Sequence, residues 1–321
     1  MRRPRSERMP AGQAGIWHVV SRCVRRQHLL EGSDRRRWLS ESLASWLEVL
    51  AVECLGYALM GNHIHLILRT RPDRAAAWSA GEVRRRRVAA SMVTDGRPCP
   101  PEEVGRGDAL TVEEVLEARH YLSHPGSILR SVKEGFARRL NREEGAAGHV
   151  WESRYQDVAL LDAGGVLACQ VYVDLNPFRA GLVEDPSLSE FCSARHRRAV
   201  DENAHDAALA RLVVRDAAHP LLDARGRACG AWSWTPESLA DLTYATARLI
   251  RPGVGALPAW AEDLLPRLGV QVENWVTCQG RPGLASGTVL ASYATRAALP
   301  GVRRPSDKSG LFGALDGKEP V

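Results

Sequence analysis

Lysine is nearly absent from this chain of 321 residues. It occurs only at Lys133, Lys308 and Lys318, whereas lysine and arginine together number 43. Arginine therefore carries most of the positive charge, and the formal net charge is +5. Arginine makes bidentate contacts with phosphate and stacks on planar groups, which favours a polyanionic partner. GC-rich codon usage produces the same bias, so arginine content alone does not identify a nucleic-acid-binding protein.

Three common sequence patterns are also missing. The seven cysteines are never spaced as C-x-x-C, which argues against a zinc ribbon and a disulfide framework and favours a reducing cytoplasm. Neither a signal-peptide pattern nor an apolar run of about 18 residues is present, so we expect a cytoplasmic protein without a membrane partner. The phosphate-binding pattern G-x-x-x-x-G-K-[ST] is lacking as well, which argues against ATP use.

The order of predicted elements indicates an α+β fold. Residues 17–24 have strand composition, a helix begins at Ser33 or Asp34, and residues 52–60 and 63–69 form two strands around the turn pair Gly61-Asn62. A helix opens at Ser127, residues 149–160 read as a strand, and a last helix runs from Asp162 to near Asn176. We therefore predict an antiparallel sheet with helices packed on it.

Composition divides the chain further. We predict a basic arm over residues 1–15, a main domain over 16–199, a mostly helical extension over 200–300 and a disordered tail over 301–321. Helical patterns in the extension cover residues 232–250 and 260–268. Residues 71–126 show little periodicity and are predicted to be an insertion with one or two short helices.

Two histidines alternate on the third predicted strand. Alternate strand residues share a face, so His63 and His65 project together while Ile64, Leu66 and Leu68 point into the core. Two neighbouring imidazoles can bind one metal ion, and imidazole suits borderline metals such as manganese and zinc. The alternative is a pair of histidines on a solvated strand face.

A tyrosine and an asparagine stand four residues apart before a proline, in Tyr172-Val173-Asp174-Leu175-Asn176-Pro177. Residues at i and i+4 are neighbours on a helix, so Tyr172 and Asn176 lie side by side. An amide oxygen is a fair ligand for a hard divalent cation, and the phenol would reach the same reaction centre. The alternative is that Tyr172 packs in the core and Asn176 simply ends the helix.

Together these features resemble the HUH single-tyrosine transposases of the IS200 type, most closely the REP-associated tyrosine transposases. The similar stretches are residues 17–26, 57–69, 141–155 and 172–183. The resemblance implies a ferredoxin-like or RRM-like sandwich, a Mg or Mn ion held by His63, His65 and Asn176, and Tyr172 as the nucleophile. It also implies cleavage and rejoining of single-stranded or hairpin DNA through a 5′-phosphotyrosyl link.

Two departures from that family are visible. Phe136 stands where many relatives carry a tyrosine, and more than a hundred residues follow the Tyr172 helix, where many relatives end. Tyr172 is preferred as the nucleophile because of its spacing from Asn176. Tyr155, at the end of a strand motif, and Tyr121, in the insertion, are poorer candidates.

A basic track with aromatic partners is needed to bind single-stranded DNA. The predicted contacts lie in the run Arg84, Arg85, Arg86 and Arg87, in the later helix at Arg138, Arg139 and Arg142, and at Arg154. The N-terminal residues Arg2, Arg3, Arg5 and Arg8 are further candidates. Trp151 and Tyr155 are possible stacking partners, with core packing favoured for Trp151. A run of four arginines is also typical of a solvated helix face.

Two other functions compete with strand transfer. The first is a domesticated, non-cutting nucleic-acid-binding protein on the same fold, which would have no use for His63, His65, Tyr172 and Asn176 together. The second is a metal hydrolase with water as the nucleophile. It would need a carboxylate base near the metal, and Asp174 points in the wrong helical direction from Asn176 to serve.

Overall fold

The structure is a computed structural model that describes residues 14–152, 154–197, 234–251, 253–280 and 289–290. Most of the predicted basic arm, including its arginines, lies outside the described residues. So do residues 200–233 of the predicted extension and the whole predicted tail after residue 300.

The fold is α+β, as the sequence predicts, with four antiparallel strands in the main sheet. The strand bounds are β1 (Gly15–Arg22), β2 (Val52–Leu59), β3 (His63–Thr70), β4 (Val93–Thr94), β5 (Arg97–Pro98), β6 (Gln156–Leu160) and β7 (Val289–Leu290). The main sheet has the order β2-β3-β1-β6-β7, with the short β7 parallel to β6, and β4 and β5 form a separate hairpin.

Eleven α-helices lie within the described residues. They are α1 (Ser33–Val49), α2 (Pro72–Ala77), α3 (Ala80–Ala89), α4 (Val112–Ser123), α5 (Pro125–Glu143), α6 (Ala163–Asp174), α7 (Asn176–Arg179), α8 (Ser193–His196), α9 (Pro236–Ile250), α10 (Ala259–Arg267) and α11 (Val272–Gly280). The helices predicted to begin near Ser33, Ser127 and Asp162 are confirmed. No helix in the described part of the chain is both long and apolar enough to cross a membrane.

The described chain divides into two compact units, and β1 contributes residues to both. The first unit holds residues 19–156 and the described residues before 16. The second holds residues 16–18 and the described residues from 157 onward. The histidine strand β3 therefore belongs to the first unit, and the tyrosine helix α6 belongs to the second.

A tight hairpin places the histidines at the start of β3. Strands β2 and β3 pair antiparallel from Val52 opposite Thr70 to Leu59 opposite Ile64, and the register shifts between Cys54 and Gly56. The Met60 amide donates to the His63 carbonyl at 2.9 Å. Only Gly61 and Asn62 lie between these residues, so the predicted turn is confirmed. Because the loop has two residues, the register of the first β3 residues is fixed by the turn.

The segment 71–126 contains more structure than the predicted one or two short helices. Helices α2, α3 and α4 and the β4–β5 hairpin all lie in it. The hairpin turn packs on α1 through Gly96, whose φ is +75° and whose carbonyl accepts from Ser42 Oγ at 2.9 Å and Trp46 Nε1 at 3.0 Å. Any Cβ at Gly96 would lie 2.6 Å from Trp38. Such long-range packing stabilises short elements that local periodicity does not reveal.

The predicted strand over residues 149–160 is shorter in the structure. Only Gln156–Leu160 forms a strand, and Trp151 pairs with Cys23 through an isolated bridge. Trp151 is 9% exposed, lies 5.6 Å from the Phe136 ring and donates its indole N–H to the Lys133 carbonyl at 2.9 Å. These contacts confirm core packing for Trp151, and Tyr155 precedes the strand instead of ending it.

The arginine run lies on α3 and is not a uniform solvated face. Arg86 donates to Glu82 at 2.6 Å, to the Glu48 and Val49 carbonyls at 2.6 and 3.1 Å, and stacks 4.2 Å from the Trp78 ring. The two carbonyls belong to the last turn of α1, where they lack intrahelical partners. Arg86 thus caps α1, whereas Arg85 is exposed and pairs with Glu82 of its own helix.

Arg86→Ala is expected to lower the free energy of unfolding by about 1.5–3 kcal/mol, the range for hydrogen bonds to a charged group. Urea unfolding followed by circular dichroism measures the change. Arg85→Ala is the matched control and should stay within about 0.5 kcal/mol of wild type, because Arg85 is exposed. Equal stability of the two variants would contradict the capping role of Arg86.

Candidate functional site

The two histidines of β3 share one face of the strand, as predicted. Their ring centroids are 4.9 Å apart and their planes meet at 76°. His65 is only 4% exposed, so the pair does not stand on a solvated strand face. On the opposite face Ile64, Leu66 and Leu68 are each 1% exposed, which confirms their predicted place in the core. Both faces of β3 are therefore buried, and the histidine face carries polar groups.

Asn62 orients the first histidine and ties it to a neighbouring loop. Its side-chain oxygen lies 2.6 Å from His63 Nδ1, and its amide nitrogen donates to the Arg26 carbonyl at 3.1 Å. Because the amide oxygen is an acceptor, this contact is a hydrogen bond when the imidazole proton is on Nδ1. An imidazole in that tautomer binds a metal through Nε2. The sequence had indicated Asn62 only as a turn residue.

The tyrosine helix begins and ends where the sequence predicts. Asp162 caps α6 by accepting from the Gly165 amide at 2.8 Å, and the helix ends at Asp174. Pro177 lies in the first turn of α7, where its missing amide N–H costs no hydrogen bond. Tyr172 and Asn176 are 6% and 8% exposed, and the Asn176 amide nitrogen lies 3.5 Å from the Tyr172 carbonyl. The predicted adjacency of the two residues is confirmed.

A half-buried arginine contacts the tyrosine ring. The Arg179 guanidinium carbon lies 3.8 Å from the Tyr172 ring centroid, and Arg179 also hydrogen-bonds the Tyr172 side chain. Burial lowers the pKa of Arg179, whereas the Tyr172 phenol opposes that shift. Arg179 Nη1 donates as well to the Gln279 carbonyl on α11 at 3.1 Å. The seven-residue spacing of Tyr172 and Arg179, about two helical turns, is a signal that the sequence interpretation missed.

A buried histidine from β1 lies on another side of the tyrosine. His18 is 1% exposed, and its ring meets Tyr172 edge-on with centroids 6.1 Å apart. Burial and, to a smaller extent, the Arg179 charge lower the pKa of His18 to about 3. A group with that pKa is a poor general base near neutral pH. His18 therefore contributes packing around the phenol, and the sequence interpretation did not single it out.

The arginines predicted to contact DNA differ in their exposure and in their contacts within the protein. Arg84 donates to the Gly105 carbonyl at 3.0 Å, Arg86 caps α1, and Arg139 lies 3.4 Å from Asp95 and 5.6 Å from the Trp38 ring. These three side chains are half-buried and have partners within the protein. The prediction that the set binds DNA stays a prediction. The exposed members are Arg85, Arg87, Arg138, Arg142 and Arg154.

Each of the two imidazoles could bind a divalent cation through one ring nitrogen. Within the described residues, no group of three or more His, Cys, Asp or Glu side chains is placed to hold a metal ion. The predicted ligand set contains only two residues of these types, because its third member is an amide. The Asn176 amide nitrogen lies toward the Tyr172 carbonyl, which leaves the amide oxygen as a candidate donor.

Comparisons with known proteins give a distant likeness to one solved structure. No protein-family model matches the chain, and no curated protein sequence matches it either. A solved structure described as a REP-associated tyrosine transposase bound to a REP hairpin shares 16% identity with the chain, and the match covers 64% of this chain and 88% of that one with a TM-score of 0.37. A likeness at this level assigns neither a function nor the roles of individual residues.

His18 predicts a specific loss of stability in acid. Its folded pKa of about 3 lies below the ordinary histidine value of 6.5, so the unfolded chain binds the proton more readily. The free energy of unfolding should then be unaffected by His18 above pH 6.5 and fall by up to about 1.4 kcal/mol per pH unit below it. Urea unfolding between pH 7 and 4 measures this slope.

His18→Gln should flatten the acid dependence, since glutamine does not titrate. His149→Gln is the matched control, because His149 is exposed in the folded chain and its replacement should leave the slope unchanged. An acid slope of His18→Gln equal to that of wild type would show that His18 is not the buried titrating group.

Proposed function

We propose that this protein is a transposase-type enzyme that cleaves and rejoins single-stranded or hairpin DNA with Tyr172 as its nucleophile. The observation that carries the proposal is the half-buried guanidinium of Arg179 against Tyr172, 3.8 Å from its ring and hydrogen-bonded to its side chain. Burying a guanidinium is costly unless polar groups satisfy it. A cation at this place favours the negative charge of an approaching phosphate.

The proposed reaction needs no external energy source. The Tyr172 oxygen attacks phosphorus as its proton leaves, the bond from phosphorus to the 3′ oxygen breaks, and the products are a 5′-phosphotyrosyl link and a free 3′-OH. The same or another 3′-OH then attacks the link and releases Tyr172. Because the covalent link conserves the phosphodiester bond energy, rejoining needs no ATP, in line with the missing phosphate-binding loop.

A divalent cation is part of the proposal, and His63, His65 and Asn176 would hold it. When bound, such an ion polarises the oxygens of the scissile phosphate as a Lewis acid. Magnesium and manganese are the ions implied by the family resemblance, and the two imidazoles favour manganese of these two. The shared face of His63 and His65 and the contact of Asn62 with His63 support this assignment.

The water-nucleophile alternative is disfavoured by the surroundings of Asp174. This carboxylate is fully buried, accepts from Ser193 Oγ and from Arg197 Nε at 2.5 Å each, and lies 3.3 Å from Arg197 Nη2. Both carboxylate oxygens are thus engaged by donors inside the protein, away from solvent. Asp174 therefore anchors α6 and is unsuited to activate water.

A non-cutting nucleic-acid-binding protein on the same fold is the competing function. The difference between a binder and an enzyme is covalent chemistry at one atom. A protein–DNA adduct that survives denaturation thus separates the two functions, whereas a DNA-binding assay does not.

Tyr172→Phe should abolish that adduct and leave DNA binding in place. The change removes one oxygen and keeps the ring beside Arg179, so the expected loss in unfolding free energy is about 1.5–3 kcal/mol. Hairpin DNA with a single-stranded flank is incubated with Mn or Mg, denatured and separated on a gel. Circular dichroism confirms folding of the variant.

The controls for this experiment are Tyr121→Phe and Tyr155→Phe, which should retain the adduct. An adduct that persists in Tyr172→Phe would assign the nucleophile to another residue. Absence of an adduct in the wild-type protein on every hairpin tested would favour the non-cutting binder.

Replacement of the two histidines should weaken metal binding as well as cleavage. His63→Ala and His65→Ala are expected to lower the affinity for Mn²⁺, measured by calorimetry on the full chain without DNA, and EDTA should stop cleavage. His65→Ala should also reduce stability because His65 is buried. Asn176→Ala should have a milder effect, since water can replace one neutral oxygen ligand.

The exposed His149 provides the matched control for metal binding, and His149→Ala should bind Mn²⁺ as the wild type does. Unchanged Mn²⁺ affinity in the His63 and His65 double variant, with full cleavage, would remove these residues from the site.

A further inference from the structure

Two consecutive arginines lie in a backbone conformation that arginine rarely adopts. Arg25 and Arg26 have φ values of 52° and 56°, and Asp95 is the only other non-glycine residue with positive φ in the described part of the chain. Aspartate tolerates this left-handed region better than most residues, but a long side chain meets a steric cost there. Glycine adopts it freely, so the fold alone would favour glycine at both positions.

The loop that contains these arginines, residues 23–27, is held in place by main-chain hydrogen bonds. The Cys23 amide donates to the Asn62 carbonyl at 2.8 Å and the Val24 amide to the Val150 carbonyl at 3.0 Å. Within the loop the Arg26 amide donates to the Cys23 carbonyl at 3.1 Å, and the Asn62 side chain donates to the Arg26 carbonyl at 3.1 Å. The strained conformation is therefore built into the fold.

The loop presents its two charges next to the histidine strand. The side chains of Arg25 and Arg26 are exposed. One residue, Asn62, contacts both the Arg26 carbonyl and the His63 ring. The main chain of the loop is thus linked through Asn62 to the first of the two proposed metal-binding histidines. Strain of this kind concentrates where a fixed geometry serves binding.

We propose that residues 23–27 bind the phosphodiester backbone of single-stranded DNA beside the cleavage site. Guanidinium groups match phosphate oxygens with paired hydrogen bonds, and a fixed loop loses little conformational freedom on binding. The proposal rests on the proposed function, since it names the DNA contact of the same site. It differs from the sequence prediction, in which α3 and α5 supply the DNA-binding arginines.

The strained backbone gives this proposal a distinctive test. Arg25→Gly with Arg26→Gly removes both charges and relieves the strain, so the variant should melt at a higher temperature and bind DNA more weakly. Fluorescence anisotropy with a labelled single-stranded oligonucleotide, in EDTA so that no cleavage occurs, gives the affinity at several salt concentrations. The log–log salt slope should fall by about 0.7 for each phosphate that the variant no longer neutralises.

Two further variants separate charge from backbone. Arg25→Gln with Arg26→Gln removes the same charges and keeps the strain, so its salt slope should fall without a rise in melting temperature. Arg106→Gln with Arg267→Gln is the control: it removes two exposed positive charges elsewhere and should bind DNA nearly as the wild type does.

The outcomes separate this inference from the function on which it rests. If both the double glycine variant and the double glutamine variant bind DNA with the affinity and the salt slope of the wild type, residues 23–27 are not a DNA contact. The proposed function would still stand in that case. An equal decrease of slope in the Arg106 and Arg267 control would also overturn it, because net charge alone would explain binding. Failure of the wild-type protein to bind DNA would overturn both proposals.

Discussion

The two-residue turn at Gly61-Asn62 is the constraint on which the histidine pair of β3 depends. It closes the β2–β3 hairpin, so it determines which residues of β3 face the same side. Its carbonyls accept from the Cys23 and Leu30 amides at 2.8 Å each, which fixes the arginine loop and the segment before α1. Its asparagine side chain reaches His63 and Arg26. Backbone register, imidazole orientation and the position of two exposed charges thus follow from one turn.

The surroundings of Tyr172, in the second unit, are organised by burial. Helix α6 is buried along nearly its whole length, so its polar side chains need partners within the protein. Asp174 accepts hydrogen bonds from Arg197 and Ser193. Gln170 accepts from the Trp234 indole at 3.1 Å. Tyr172 is hydrogen-bonded to Arg179. Helix α11 also contacts this region. The Gln279 carbonyl accepts from Arg179, and the Gln279 side-chain amide donates to the Ala168 carbonyl at 3.1 Å. The long extension is therefore part of the support for the tyrosine.

Several arginines of this chain make their contacts with other groups of the same chain. Arg69 and Arg71 share the Glu53 carboxylate, Arg86 caps α1, and Arg179 stacks on the Tyr172 ring. A guanidinium has five donors in a fixed fork, which suits it to cap helix ends and join distant carbonyls. The number and the runs of arginine in the sequence therefore do not show how many guanidinium groups are exposed in the folded chain.

The sequence by itself determined the features that depend on local geometry. The alternation of a strand places His63 and His65 together, the pitch of a helix places Tyr172 beside Asn176, and Asp162 and Pro177 mark the ends of α6. Only the tertiary structure decided the burial of His65, the fold of residues 71–126, and which arginines contact other groups of the protein. These depend on contacts between residues far apart in the chain, such as Arg179 with Gln279 and Arg86 with Glu48. Periodicity describes how neighbours along the chain are arranged, and it carries no information about which distant side chain completes a hydrogen bond.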